Sequence, residues 1–523
     1  MDQFPRQSHL GRNAENMLII PEAAARNSRK REPIGEAFIF RLPDEILDSI
    51  IKHATSERWQ SQSCSESEHT SDNTMVQALS LVCRRFKHIA QPLLYRNIRF
   101  RWPIAMAPPS RPVVKLHRTL SCNPALRQHV RLLAIHVPDI PSITKEDKYD
   151  ILKDLATWLT RVRCLYIHGG FEGDFHKEHT WRLIRTFSQN MKEMAHIALS
   201  RESWGLYLDH IMANLSLFPK LKRLSLHGIS EWKENRPAFG SVDRRRSAPI
   251  TSLSLSDYEE SAQSTASLLM WPKALTHFEF GSFYNNPNTM DYPMFESWLI
   301  VHRDTLKSVD IGYLSKAGSN RLFNATLFPN LESLKLSRWQ QGRTWQSDEL
   351  IQFTADDANV LGPKLKFFGW DFGIYDQHSE DWNAFGEGEE AWVTALAKTA
   401  IAQKRPLKTI RICFAPEYWG SSKQDGYPWD RIDRVRDEIC KPNGIELNYT
   451  KPTILKWAWL EYLEETERAN RDEREGGLPG VEATVEEESG EEMEGKEAEE
   501  IMEPGYYGRD IREFFAPVQR PDA

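Results

Sequence analysis

One short pattern, apolar-x-x-apolar-x-apolar, recurs ten times between residues 130 and 412, and it constrains the fold more than any other feature of the chain. Its members are Val130/Leu133/Ile135, Val162/Leu165/Ile167, Met194/Ile197/Leu199, Leu221/Leu224/Leu226, Ile250/Leu253/Leu255, Leu275/Phe278/Phe280, Leu306/Val309/Ile311, Leu331/Leu334/Leu336, Leu365/Phe368/Trp370 and Leu407/Ile410/Ile412, on average about 31 residues apart. The last two apolar residues of each alternate, as on a short strand with one buried face. A lone triple arises readily by chance, so the flanks carry the argument. Phe218-Pro219-Lys220-Leu221 is matched by Phe328-Pro329-Asn330-Leu331, and Trp271-Pro272-Lys273-Ala274-Leu275 and Gly362-Pro363-Lys364-Leu365 repeat the proline lead-in. Helical stripes lie between units, such as Ile151, Leu152, Leu155, Trp158 and Leu159, or Trp181, Ile184 and Phe187, or Phe295, Trp298 and Leu299. Strand and helix in alternation, each unit burying its face only against its neighbours, predict an α/β solenoid over residues 110–450.

Composition excludes other classes. The 523 residues are 40% hydrophobic and 11% aromatic with 17 Trp, which argues against wholesale disorder. No apolar run approaches the ~20 residues of a membrane span, and the N-terminus lacks the basic-then-apolar order of a secretory signal, so no membrane partner is expected. Six cysteines without a CxxC or CxxH pair suit a reducing compartment, cytoplasmic or nuclear, and offer no zinc or disulfide framework. Net charge is −7, yet residues 464–503 hold 17 acidic and 4 basic residues, leaving the rest of the chain net +6. That acidic segment is expected to be disordered and solubilising. Beyond it, within 504–523, Tyr506, Tyr507, Ile511, Phe514 and Phe515 form an apolar cluster expected to dock on the repeat domain or a partner. Residues 1–37, with Arg26, Arg29, Lys30 and Arg31, read as a solvated tail.

Between residues 38 and 100 the periodicity is helical. Leu42-Pro43-Asp44-Glu45 opens a helix whose stripe is Ile46, Leu47, Ile50, Ile51 and Ala54. Residues 55–73 form a Ser-rich polar insertion. Thr74-x-x-Gln77 fits a capping box, followed at helical spacing by Met75, Val76, Leu79, Val82, Cys83, Phe86, Ile89 and Ala90 on one helix that Pro92 stops or restarts. Leu93, Leu94, Tyr95 and Ile98 give a last short apolar face.

The order Leu42-Pro43-x-Glu45-Ile46-Leu47-x-x-Ile50, Leu79-Ser80-Leu81-Val82-Cys83-Arg84-x-Phe86 and Pro92-Leu93-Leu94-Tyr95 resembles an F-box. The Ser-rich insertion lengthens the first spacing, and Tyr95 stands where many members carry Trp. The resemblance implies a three-helix module that binds a Skp-type adaptor and, through it, a cullin-RING ubiquitin ligase. It implies adaptor contacts at Leu42, Pro43, Ile46, Leu47, Ile50, Leu79, Val82, Cys83, Arg84, Phe86, Leu93 and Tyr95. The repeats resemble the irregular leucine-rich repeats of fungal-type F-box proteins. The Asn or Cys usual three residues after the last Leu is absent, with Pro138, Gly170, Ile229, Tyr258 and Trp339 there, so irregular turns are expected. Together these imply a non-catalytic, substrate-recognition subunit of an SCF-type ligase with an unknown target protein. The alternative is a repeat scaffold outside any ligase, with the helices as its cap.

Target contacts are expected on the strand positions flanking the core residues, among them Tyr166, Arg223, His227, Asp310, Lys335, Asp371 and Arg411. Their mixed signs and aromatics suit a protein more than nucleic acid. His136 and His168 would stand about 5 Å apart on adjacent strands. Ser200 occupies the next rung, so no third ligand follows and neither metal nor cofactor is expected. Cys83 reads as a structural thiol, Arg244-Arg245-Arg246 as an exposed loop, and no catalytic motif is present on suitable elements.

Overall fold

The structure, a computed structural model, describes residues 38–56, 71–101, 110–137, 147–172, 174–202, 205–230, 245–281, 290–314, 321–341, 351–373, 385–416 and 426–475. The tail 1–37, most of the Ser-rich insertion, Arg244, and residues 476–523 with the C-terminal aromatic cluster lie outside the described residues. The chain divides into two compact units, with the division after residue 90.

The first unit is helical: α1 (Asp44–Ser56), α2 (Ser71–Val82) and the start of α3 (Arg84–Leu94). Pro43 precedes α1 and its carbonyl accepts the first helical bond, from Leu47 N–H at 3.1 Å. Leu47, Ile51, Val76, Phe86, Ile89 and Ala90 are buried. The expected single helix from Thr74 to Ala90 is interrupted at Cys83, which stands at the N-terminus of α3. Its Sγ accepts from Phe86 N–H at 3.5 Å, and its carbonyl from Lys87 N–H at 2.9 Å. The half-buried thiol is thus a helix cap. Pro92 does not stop α3, which runs on to Leu94, and α2 starts at Ser71, so Thr74 lies inside it. Arg85 ties α3 to the start of α1, donating from Nε to Asp44 Oδ1 at 2.6 Å and from Nη2 to the Leu42 carbonyl.

The second unit is α/β, built on one sheet of twelve parallel strands arranged in sequence order. These are β1 (Asn97–Arg101), β2 (Leu132–His136), β3 (Cys164–His168), β4 (His196–Ser200), β5 (Arg223–Ile229), β6 (Ser252–Tyr258), β7 (His277–Phe280), β8 (Ser308–Ile311), β9 (Ser333–Ser337), β10 (Phe367–Asp371), β11 (Thr409–Cys413) and β12 (Glu446–Tyr449). Each of the ten apolar triples ends on a strand, in matched register with its neighbours. Their second and third residues, from Leu133 and Ile135 to Ile410 and Ile412, are at most 2% exposed. A side chain of that size contributes ~1.5–3 kcal/mol when fully buried.

Two strands lie outside the ten. β1 carries the same triple as Tyr95/Ile98/Phe100, within the stretch whose apolar residues read as the end of the helical module. β12 carries Leu447 and Tyr449, but the first position of its triple is Gly444, at φ +72°, which hides the pattern. The sheet unit therefore starts before residue 110.

The helices Asp147–Trp158, Asp174–Asn190, Leu208–Leu215, Ala262–Met270, Tyr292–Leu299 and Glu387–Ala402 supply the other side of the core, for instance through Leu155, Phe187, Phe295 and Trp392. Regular alternation fails between β8 and β10, where the described connections hold only short 3-10 turns. There the aromatic pair Phe323/Phe328, stacked 5.3 Å apart, fills the core.

Strand starts are uniform. The carbonyl just before each strand from β1 to β10 accepts two N–H groups from the next unit, as Arg96 does from Arg131 at 2.8 Å and Leu132 at 3.1 Å. Strand ends lack the missing Asn or Cys ladder and use backbone instead. Val137 N–H donates to the His168 carbonyl, Gly169 N–H to Ser200, and Gly281 N–H to Leu255, each at 2.7 Å.

The expected disorder from residue 464 also gives way. Helix Lys456–Glu475 includes the first residues of the acidic segment, because Trp459 is buried against Tyr427, with ring centres 5.7 Å apart, and Lys456 pairs with Asp430 at 2.5 Å. Glu464 and Arg468 are spaced to support it further.

Candidate functional site

Two surfaces carry candidate residues, and each belongs to its own unit. In the helical unit, the residues singled out by sequence divide into a skeleton and a surface. Leu47 and Phe86 are buried, so they hold the module together and are not open to a partner. Leu42, Leu79 and Cys83 are half-buried, and Arg84 is exposed. The open apolar side chains are Ile46 at 48% exposed, Ile50 at 45% and Val82 at 56%, joined by Met75 and by Leu81 at 85%, which sequence did not single out as contacts. These five exposed apolar side chains all lie on two short helices, α1 and α2. Tyr95 belongs to the sheet unit, where it packs partly buried against the core, and Leu93 is half-buried there. Tyr95 is thereby the first residue of the β1 triple.

On the sheet, strand residues alternating with the core positions form three rows across the strands. Tyr166, Asp310, Lys335 and Arg411 share the middle row, Arg223 lies in the first, and His227 and Asp371 lie in the third. Arg223 and Arg411 are exposed, and Tyr166, His227, Asp310 and Lys335 are half-buried. Asp371 departs from expectation. It is 2% exposed, held by Lys335 Nζ at 2.7 Å and by Gly373 N–H at 3.1 Å. Lys335 also reaches Asp310 at 3.5 Å. Its stem crosses Gly369, where a Cβ would come 2.8 Å from Lys335 Cγ, so only glycine leaves it that path. Burial holds the Asp310 carboxyl above the usual carboxylate range, against the opposing pull of Lys335.

The β2–β5 end of this face is rich in histidine. Tyr166 Oη lies 3.3 Å from His196 Nδ1, and burial pushes its hydroxyl up to about 12. His227 is closed on both sides, Nδ1 to Ser256 Oγ at 2.9 Å and Nε2 to Asp257 Oδ2 at 2.8 Å. His136 and His168 meet edge-to-face with ring centres 4.6 Å apart. His168 Nδ1 is 2.9 Å from Ser200 Oγ. Burial, then His136, pushes the His168 imidazole down to about 4, so it is neutral at physiological pH.

A third donor stands beside them. Glu202 lies two residues beyond β4, with Oε1 3.5 Å from His136 Nε2. One ligand atom from each of His136, His168 and Glu202 falls within 4.8 Å of the other two. Row-by-row reasoning stops at Ser200 and passes over Glu202 because it lies off the strand; only the turn back over Gly169 brings it in. No protein-family model matches the chain, and no curated protein matches its sequence. Among the described residues, no helix is long and apolar enough to cross a membrane.

Proposed function

We propose that the chain is the substrate-recognition subunit of an SCF-type cullin-RING ubiquitin ligase. The F-box-like helices α1 to α3 bind a Skp-type adaptor, and the strand array, an irregular leucine-rich-repeat-like solenoid, holds a target protein by its polar sheet face. The observation that carries this reading is the exposed apolar set Ile46, Ile50, Met75, Leu81 and Val82, at and beside the positions that the F-box pattern uses. A helical cap on a scaffold outside any ligase has no need of such an exterior. The subunit contributes proximity and orientation, so it supplies no reacting group of its own. Its work is in the cytoplasm or nucleus, on an unknown target protein.

The test is co-purification of the full chain with a Skp-type adaptor. A doubly substituted Ile46→Asp/Val82→Asp chain should lose adaptor recovery while its melting temperature stays within a degree or two of wild type, since both side chains are exposed. Leu42→Ala/Pro43→Ala should do the same, a buried interface anchor commonly being worth ~2 kcal/mol or more. Undiminished recovery by both variants, or none by the folded wild-type chain, overturns the assignment.

A further inference from the structure

We infer that His136, His168 and Glu202 form a binding site for a divalent transition-metal ion of the zinc type. Two imidazoles and one carboxylate are a donor set suited to such ions, and three protein ligands leave a coordination position open. The donors come from consecutive units of the sheet: the ends of β2 and β3 and the turn after β4. His136 Nε2 and Glu202 Oε1 are 3.5 Å apart. Two metal bonds of ~2.1 Å at the tetrahedral angle span about 3.4 Å. The remaining donor separations are within 4.8 Å.

The surroundings of the donors point to a ligand here rather than to a solvated ridge. His136 Nε2 is buried and makes no hydrogen bond, the Glu202 carboxylate standing off at 3.5 Å. With Nδ1–H of His168 donating to Ser200 Oγ, the His168 lone pair is left on Nε2, the outer-shell arrangement that orients a metal-binding imidazole. His227 shows the contrast, for the equivalent nitrogen is satisfied there by Asp257 at 2.8 Å. Arg101, the register partner of His136, is the nearby adverse charge, and Glu202 is the anion that offsets it.

The site is independent of the ligase reading, and loss of adaptor binding would leave it standing. The experiment uses the full chain, stripped with chelator and titrated with Zn2+ by calorimetry and with Co2+ by absorption. One Zn2+ per chain, a Zn2+-raised melting temperature and visible Co2+ bands of a nitrogen- and oxygen-ligated centre are expected. Glu202→Gln and His136→Gln should each weaken Zn2+ binding by more than about tenfold and abolish the thermal shift, and Ser200→Ala, which frees His168, should weaken it by about tenfold. Absence of stoichiometric Zn2+ binding by the folded wild-type chain overturns the proposal, as does wild-type affinity in both ligand variants. Should a variant fail to fold, the Co2+ spectrum of the wild-type chain decides: bands saturating at one equivalent support the site, and their absence rejects it.

Discussion

His196, at the start of β4, has Tyr166 Oη 3.3 Å from Nδ1 and Ser225 Oγ 3.4 Å from Nε2. Burial, then the neighbouring Arg223, pushes its pKa down to about 4 from an ordinary value of 6.5. The unfolded chain therefore binds a proton here that the folded chain refuses, and stability rises with pH across that interval. This contribution is fully present above about 6.5 and is lost as pH falls toward about 4. Replacing His196 by Gln should flatten the fall in melting temperature between those limits by a few degrees; an unchanged acid limb would remove His196 from the account. Nothing in the sequence marks His196 as different from His136 or His227, because the sheet histidines all share the strand alternation. What separates them is the side chain on the neighbouring strand or turn, a tyrosine, a serine or a carboxylate, about thirty residues away in sequence.

Helix Glu387–Ala402, between β10 and β11, is fixed at its first turn by Glu389. One carboxylate oxygen accepts from Gly386 N–H at 2.9 Å, closing the helix start, and the other takes Arg338 Nη2 at 2.6 Å and Nε at 3.0 Å. Arg338 begins the turn after β9, so a single carboxylate joins a helix to a strand two connections away. Both side chains are almost wholly buried, at 3% and 9% exposure. Glu389→Gln would leave the guanidinium buried without its counter-charge and should cost ~3–5 kcal/mol in chemical denaturation; a loss below ~1 kcal/mol would show that the pair is not needed there. Periodicity made most elements legible: all ten triples end on strands, and the helix at Asp147–Trp158 follows its stripe, but the same triple on β1 was hidden inside the helical reading of residues 38–100. Boundaries set by a single contact were not, as at Cys83, where a thiol cap divides what reads as one helix. The Arg338 to Glu389 pairing, with its partners 51 residues apart, leaves no local trace.

In a sheet whose strands follow sequence order, a unit's stability depends mainly on its immediate neighbours, and damage should stay local. Trp459, buried in helix Lys456–Glu475, packs with Tyr427, which in turn meets Trp429 at 5.0 Å. Trp459→Ala should cost ~3–5 kcal/mol at that end. Amide exchange should accelerate in β11 and β12 while β3 to β6 keep their protection; uniform acceleration throughout would mean that the array unfolds as one block. The doubled carbonyl bonds before each strand have a further consequence for how such a molecule can change over generations. Because the units from β2 to β11 are gauged from the same backbone contact at their beginning, one added residue between Leu221 and Lys222 would turn the β5 row inside out. Strand ends such as Val137, Gly169 and Gly281 are joined to a neighbouring unit by a single backbone bond. Inheritance can therefore rewrite one rim of the sheet more readily than the other, which is held to a fixed metre.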